Sequence, residues 1–214
     1  MSEKTTREHI VEAADRLFYR QGYEHTSFAD IAQAVQISRG NFYHHFKSKD
    51  DILDAVIAQR LARTQQMLDG WEHAGQHPGA RIRSFFHMLI ANRAPIQRHG
   101  CPVGTLCTEL AKLNHGSRAE ANRLLSMFRG WLRRQFSLLG READADALAM
   151  HVLGWSQGVA TLANAFHDEE FIRREVRSME EWLASYEQSA APRARSRRKS
   201  GRRSSEPGRP RADE

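Results

Sequence analysis

Cysteine, proline and aromatic residues are all scarce in this chain: its 214 residues include 2 Cys and 6 Pro, and Phe, Trp and Tyr together make up 8%. Two cysteines, Cys101 and Cys107, are too few for a disulfide scaffold and lack the paired clusters of a structural zinc site, so they read as thiols of a reducing compartment. No apolar run approaches the roughly eighteen residues a membrane span needs. Residues 1–13 hold no apolar signal core followed by a small-residue cleavage site. The expectation is a soluble, cytoplasmic protein with no membrane partner. Catalytic spacings are missing too: there is no nucleophile elbow, no Gly-rich phosphate loop and no His-Glu-x-x-His. Neither an enzyme nor a bound cofactor or metal is expected. The 40% apolar and 27% charged content excludes collagen, a coiled-coil rod and a wholly disordered chain, and no internal repeat is evident.

What is present in excess is positive charge. The net charge of +6 invites a nucleic-acid reading, but its distribution qualifies that inference. Nine of the 32 Lys and Arg and three of the 26 Asp and Glu lie from residue 190 onward, which leaves 23 of each in the body. The body is therefore neutral, and the basicity belongs to an Arg, Ser, Pro and Gly-rich tail, residues 189–214, that lacks periodic apolar positions and reads as disordered. Two readings of the tail stay open: a non-specific arm that attracts phosphates and weakens with salt, or a solvated terminus without consequence.

The body reads as helical throughout. Ile10, Ala13, Ala14, Leu17 and Phe18 fall on one helical face, and Gly22 ends that segment. Thr5 with Glu8, Ser27 with Asp30 and Ser48 with Asp51 each make a capping-box pattern, giving three helix starts within fifty residues. Further stripes include Phe85, Phe86, Leu89 and Ile90, then Leu124, Leu125, Phe128, Trp131 and Leu132, then Leu148, Val152, Trp155 and Val159. No alternating strand pattern appears. Breaks at residues 77–79, 98–100, 114–117, 140 and 167–168 divide the chain into about nine helices. The fold expected is all-α: a small N-terminal three-helix unit with a helix-turn-helix over residues 1–48, then a larger helical domain over residues 49–188 that begins in a long connecting helix.

Between Ser27 and Ser48 lie two short helical pieces. The first turns Phe28, Ile31, Ala32 and Val35 inward; the second opens at Ser38 and holds Phe42 and Phe46 four apart. Such a pair is a helix-turn-helix with its second helix sized for a DNA major groove. With the two phenylalanines inward, that helix exposes Arg39, Gly40, Asn41, Tyr43, His44 and His45, flanked by Ser38 and Lys49. Arg suits guanine O6 and N7, Asn suits adenine N6 and N7, and Tyr, Ser, Thr and Lys suit phosphates, while Gly40 lets backbone approach a partner. His44 and His45 diverge by about 100° as helical neighbours and are a poor pair of ligands for one ion.

At these residues the chain resembles a known family. The run from Thr26 to Ala32, Thr-Ser-Phe-Ala-Asp-Ile-Ala, and the run from Ile37 to Leu53, with its Gly-Asn-Phe-Tyr-His-His-Phe core, are similar to the DNA-binding signature of the TetR family of one-component transcriptional regulators. The resemblance covers about the first sixty residues. It implies a homodimer on a palindromic double-stranded operator, usually a repressor released by a small-molecule effector. Carried over by position, it implies that Thr26, Tyr43 and Lys49 hold phosphates and that Ser38, Arg39, Asn41 and His44 face base edges or the adjoining backbone, with Ser27 and Gly40 completing the DNA-binding set. One position departs: Gln36 stands in the turn where the family commonly has glycine. A left-handed backbone there would cost a non-Gly residue roughly 1 kcal/mol or more; a reshaped turn is the alternative.

The same resemblance implies that the last two long helices, residues 142–167 and 168–186, form the dimer interface. Gly154 and Gly158, four apart, offer a small-residue groove that agrees. An effector pocket is expected within the larger domain, with Phe85, His87, Met88, Cys101, Trp131, His151, Trp155 and Asn164 as candidate lining residues. Cys101 stands before Pro102, a placement that reads as a helix N-terminus, where the helix dipole favours a thiolate. Residues 99–106 also resemble the helix start of a family branch that senses electrophiles through a cysteine. A Cys101-based sensor is the alternative to a ligand-released repressor, and two small buried hydrophobes the bland reading of both thiols.

Overall fold

The computed structural model describes residues 5–75 and 77–190. Ten helices and no strand occur among them: α1 (Thr6–Gln21), α2 (Phe28–Val35), α3 (Arg39–His45), α4 (Lys49–Ala74), α5 (Pro78–Ala91), α6 (Arg93–His99), α7 (Pro102–Lys112), α8 (Arg118–Leu138), α9 (Ala145–Phe166) and α10 (Glu169–Ala190). The chain is all-α, with a small N-terminal helical unit followed by a larger helical domain. The Arg-rich tail lies outside the described residues apart from its first positions, which continue α10 as far as Ala190.

All three expected capping boxes form. In α1, α2 and α4 the Thr5, Ser27 and Ser48 side chains each accept from the third backbone N–H of the helix, and Glu8, Asp30 and Asp51 return the bond to the cap residue. Each pair satisfies two of the donors a helix start leaves unpaired.

The expected count of about nine helices falls short by one, because residues 78–99 divide into α5 and α6. Pro95 explains the break: it has no N–H to give the Ala91 carbonyl, and its ring would collide with that carbonyl in a continuous helix. In the first turn of a new helix those defects vanish. Asn92 covers the junction by donating Nδ2 to Met88 O at 2.8 Å.

Two apolar clusters hold the fold. One gathers Ile10, Phe18, Ile31, Phe42 and Phe46 of α1–α3 with Ile52, Leu53, Val56 and Ile57 of α4, and it also takes Leu106, Cys107 and Leu110 from α7. The other is built from α5, α8, α9 and α10 around Phe86, Leu132, Phe136, Val152 and Leu183. Thus α7 belongs to the N-terminal cluster by packing although it follows α6 in the larger domain. On the opposite side of α9 the residues Met150, Gly154, Gly158, Leu162 and Phe166 stand four apart and exposed, Phe166 at 76%, and nothing lies within 4 Å of where a side chain would begin at either glycine.

Candidate DNA interface and its connection to an inner cavity

The outer face of α3 is prepared by what the helix buries. Phe42 and Phe46 are sunk to 1% and 3% exposure, and Phe42 meets Phe28 edge to face with ring centroids 4.9 Å apart. At seven residues α3 is too short to be stable alone, so this anchor and its ends hold it. Ser38 caps the start, its Oγ accepting from Asn41 N at 3.3 Å, and Lys47 Nζ donates to Tyr43 O at 2.7 Å beyond the end. Gly40, Asn41, Tyr43 and His44 are exposed as a result. Tyr43 is braced by stacking on Phe28, with rings 5.4 Å apart and 18° from parallel, and half of it stays exposed on that support. Arg39 opens α3; its side chain lies outside the described part of the molecule.

The turn between α2 and α3 resolves the Gln36 question. Gln36 is left-handed, φ 56° and ψ 39°, and its N–H closes α2 on Gln33 O at 3.2 Å. The geometry customary for glycine is kept with a side chain on it.

Three of the candidate DNA residues are engaged elsewhere. Thr26 is buried at 1% exposure; its hydroxyl donates to Gly22 O at 2.7 Å and accepts from Gln21 Nε2 at 3.3 Å, so its single proton already has an acceptor. Ser27 is exposed but committed to its capping box with Asp30, and that bonding holds the Asp30 carboxyl below the usual range. Lys49 Nζ donates to Tyr23 O at 3.1 Å and sits 4.2 Å from the Tyr23 ring centre.

The turn of residues 22–26 is where the larger domain grips this unit. Glu109 of α7 accepts from Tyr23 N at 3.0 Å and Glu24 N at 2.9 Å, one carboxylate oxygen for each. Gly22 permits it: φ is +90°, and an added Cβ would lie 2.9 Å from the Glu109 carboxylate. The Tyr23 hydroxyl donates to Asp50 and contacts His115 Nε2 at 3.2 Å. Burial first, then the Asp50 bond, pushes the Tyr23 phenol well above its ordinary range, and the same bond is the main cause holding Asp50 low. At the other end of α7, Tyr19 donates to Gly100 O at 2.8 Å, and Arg60 bridges Asp15 at 2.6 Å and Pro102 O at 2.6 Å. Burial, with Cys101 nearby as a lesser cause, raises Tyr19 from 10 to about 12.

That second end of α7 also walls a cavity of roughly 140 Å³ between α5, α6, α7, α8 and α9. Of the residues expected around a pocket, Phe85, Met88 and Cys101 line it. The others are placed apart: His87 faces Glu180 at 2.7 Å on the surface, Trp131 packs on Trp71 in the core, His151 lies over Trp182, Trp155 packs on Phe86, and Asn164 donates to Gln97 O at 2.9 Å beside an outer groove. Cys101 is half-buried and caps α7, its Sγ accepting from Gly104 N at 3.4 Å, with Pro102 in the first turn. Cys107 is buried, and desolvation drives its thiol to about 11, so it is inert at neutral pH. Sequence reading had no signal for Glu109, Arg60 or Tyr19. Each bonds a partner 42 to 86 positions away, and most of those partners are backbone groups that any residue would supply.

A helix-turn-helix with an exposed polar second helix, joined through α4 and α7 to a cavity-bearing domain, is the arrangement of a DNA-binding regulator. Residues 10–56 match the family model for bacterial regulatory proteins of the tetR family. The chain is 30% identical over 151 residues to the transcriptional regulator AcuR of Cereibacter sphaeroides, which covers 65% of this chain and 68% of that protein. It is 28% identical over 168 residues to the HTH-type transcriptional repressor DhaR of a Mycobacterium species, covering 74% and 82% of the two chains. A TetR regulator from Legionella pneumophila has the same fold, with a TM-score of 0.75 at 23% identity over 86% of this chain and 98% of that one. The chain belongs to the TetR family of DNA-binding transcriptional regulators.

Proposed function

We propose that this protein is a homodimeric repressor that leaves a palindromic operator when a small molecule occupies the cavity at the start of α7. In this reading residues 1–48 are the DNA-reading unit and residues 49–188 the effector and dimerisation domain. The observation that carries it is α7 itself, one helix with the cavity at one end and the residue 22–26 turn at the other. From Cys101 to Glu109 is eight residues, about 12 Å of helix, short enough to move as a rod. A ligand that displaces the start of α7 therefore pulls on Glu109, on the turn it holds, and on the Ser27 cap of α2 beyond it. A ligand changes the equilibrium only by binding one arrangement better than the other, and a cavity walled by the moving helix provides that difference.

Dimerisation through α9 and α10 is supported by the exposed stripe from Met150 to Phe166, whose two glycines let a second helix approach closely. A twofold dimer presents two copies of α3, and a palindrome with half-sites about one helical turn apart is its geometric counterpart. Asn41, Tyr43 and His44 are proposed to meet bases and phosphates, with Ser38 beside them through the hydroxyl proton that its cap on Asn41 N leaves unused; Arg39 is proposed with them from its position alone. Thr26 and Lys49 support DNA contact by shaping the turn in this arrangement. The deciding experiment is a footprint on DNA flanking the coding region, with and without candidate inducers, alongside light scattering for the oligomeric state. A monomer without preference over random duplex would falsify the proposal.

A second reading has a specific observation in its favour: Cys101 stands half-buried on the cavity wall. Conjugate addition to an electrophilic alkene there would form a C–S bond and deliver the thiol proton to the neighbouring carbon. Cys101→Ser that still releases DNA in response to such an electrophile would eliminate it.

A further inference from the structure

Resting on the reading of the cavity as the effector site, we propose that it selects an uncharged molecule about the size of one aromatic ring, carrying an oxygen that hydrogen-bonds the Gln157 carboxamide. Size comes first. An engineered apolar cavity of roughly 150 Å³ stays dry and takes up benzene, and this one, at roughly 140 Å³, falls in the same range. Charge comes second. The body of the wall is Phe85, Leu89, Ile96, Phe128 and Leu153, and among the described residues no Lys, Arg, His, Asp or Glu lines it. An ammonium or carboxylate would lose its water there and find no countercharge.

The polar end follows by accounting for each polar group. The Ser156 hydroxyl donates to Leu153 O at 2.8 Å and accepts from Gln157 Nε2 at 3.4 Å. Asn92 is exposed and turned back to Met88 O. Cys101 Sγ takes the Gly104 N–H. Gln157 remains, with Oε1 lacking a partner among the described residues. That oxygen lies directly over Gly104, where an added Cβ would come within 2.1 Å of it. A carboxamide both donates and accepts, so an alcohol and a carbonyl each suit it.

Position gives Gln157 a second part in selection. Together with Cys101 and Leu125 it lines both the cavity and the outer groove that runs between α7 and α9 past Thr108 and Thr161. It therefore stands in the wall between outside and inside, and a ligand entering from the groove passes its carboxamide. The glycine at 104 leaves that carboxamide its seat.

The test is thermal unfolding of the full chain with a matched series of single-ring probes: toluene, benzyl alcohol, benzoate and benzylammonium. Benzyl alcohol is expected to raise Tm by a few degrees in a saturable way, since a ligand that binds only the folded state stabilises it. Benzoate and benzylammonium should bind at least about 100-fold more weakly. Gln157→Leu should weaken benzyl alcohol about tenfold while sparing toluene, and Gly104→Ala, which displaces the carboxamide, should do the same if the leucine variant folds poorly. Charged probes binding as well as benzyl alcohol, no shift with any neutral probe, or an unaltered toluene to benzyl alcohol ratio in both variants would each overturn the proposal. Fluorescence anisotropy on a duplex selected from a random pool reports DNA binding separately. Probe binding without DNA binding therefore supports the cavity assignment and sinks the regulator reading.

Discussion

The DNA-reading unit and the effector domain reach order by different means. In the first, helix ends are written locally: α1, α2 and α4 all carry capping boxes, and the buried Phe42 lies between the exposed Asn41 and Tyr43 in sequence. In the second, α6, α8 and α9 have no side-chain cap at their starts, and α8 and α9 are held by packing along one another. A unit specified by local chemistry can present an exact polar face on a helix of two turns. A domain specified by packing can tolerate a void, and here it contains one.

The largest expected effect breaks the first region alone. Phe42→Ala removes the buried anchor of α3 and should cost about 3–5 kcal/mol. DNA binding should vanish, while near-UV signals of the Trp131 and Trp182 core persist; loss of both together would mean that the two regions unfold as one. Next comes the connection between them. Glu109→Ala removes two charge-assisted bonds from the residue 22–26 turn and should cost about 1.5 kcal/mol for each. Its sharper signature is in coupling: an inducer should still bind but alter DNA affinity less. Equal coupling in the variant and the wild type would remove α7 as the connecting rod.

A third prediction uses alkaline pH. Tyr19 is raised to about 12 from an ordinary 10, so the folded state holds its proton where the unfolded chain releases it. The stability this group contributes is complete below pH 10 and is lost as pH climbs through the folded value. Tyr19→Phe should flatten the fall in urea midpoint between pH 10 and 11, and an unchanged slope would count against it. The smallest effect is at the turn. Gln36→Gly relieves a left-handed side chain worth about 1 kcal/mol, and Tm should rise by about 2–4 °C for a chain of this size with DNA binding retained. A lower Tm would mean that the glycine's extra freedom when unfolded outweighs the relief.

The asymmetry between regions also explains what could be read in advance. The three caps, the inward Phe42 and Phe46 and the outward Gly40, Asn41, Tyr43 and His44 are periodicities and spacings within a few residues of each other, and the structure keeps them, with His45 only half-exposed. Cys101 as the cap before Pro102 is equally local. The break at Asn92 was missed because the apolar stripe runs up to it and only Pro95, three residues on, signals the interruption. The cavity gathers Phe85, Met88 and Cys101 but draws Leu125, Phe128, Gln157 and Ala160 from two other helices, while Trp131 and Trp155 of those helices pack on Trp71 and Phe86 instead.

By itself the amino-acid order determined that the chain is helical, where its first helices begin, and which side of α3 meets the outside, because capping and amphipathic periodicity act over one or two turns. Tertiary structure alone decided that α7 would join the N-terminal cluster, that Glu109 would hold the Tyr23 turn, and that Gln157 would border a void. Those relations depend on how rigid helices cross, and crossing is settled by the shapes of surfaces far apart in sequence.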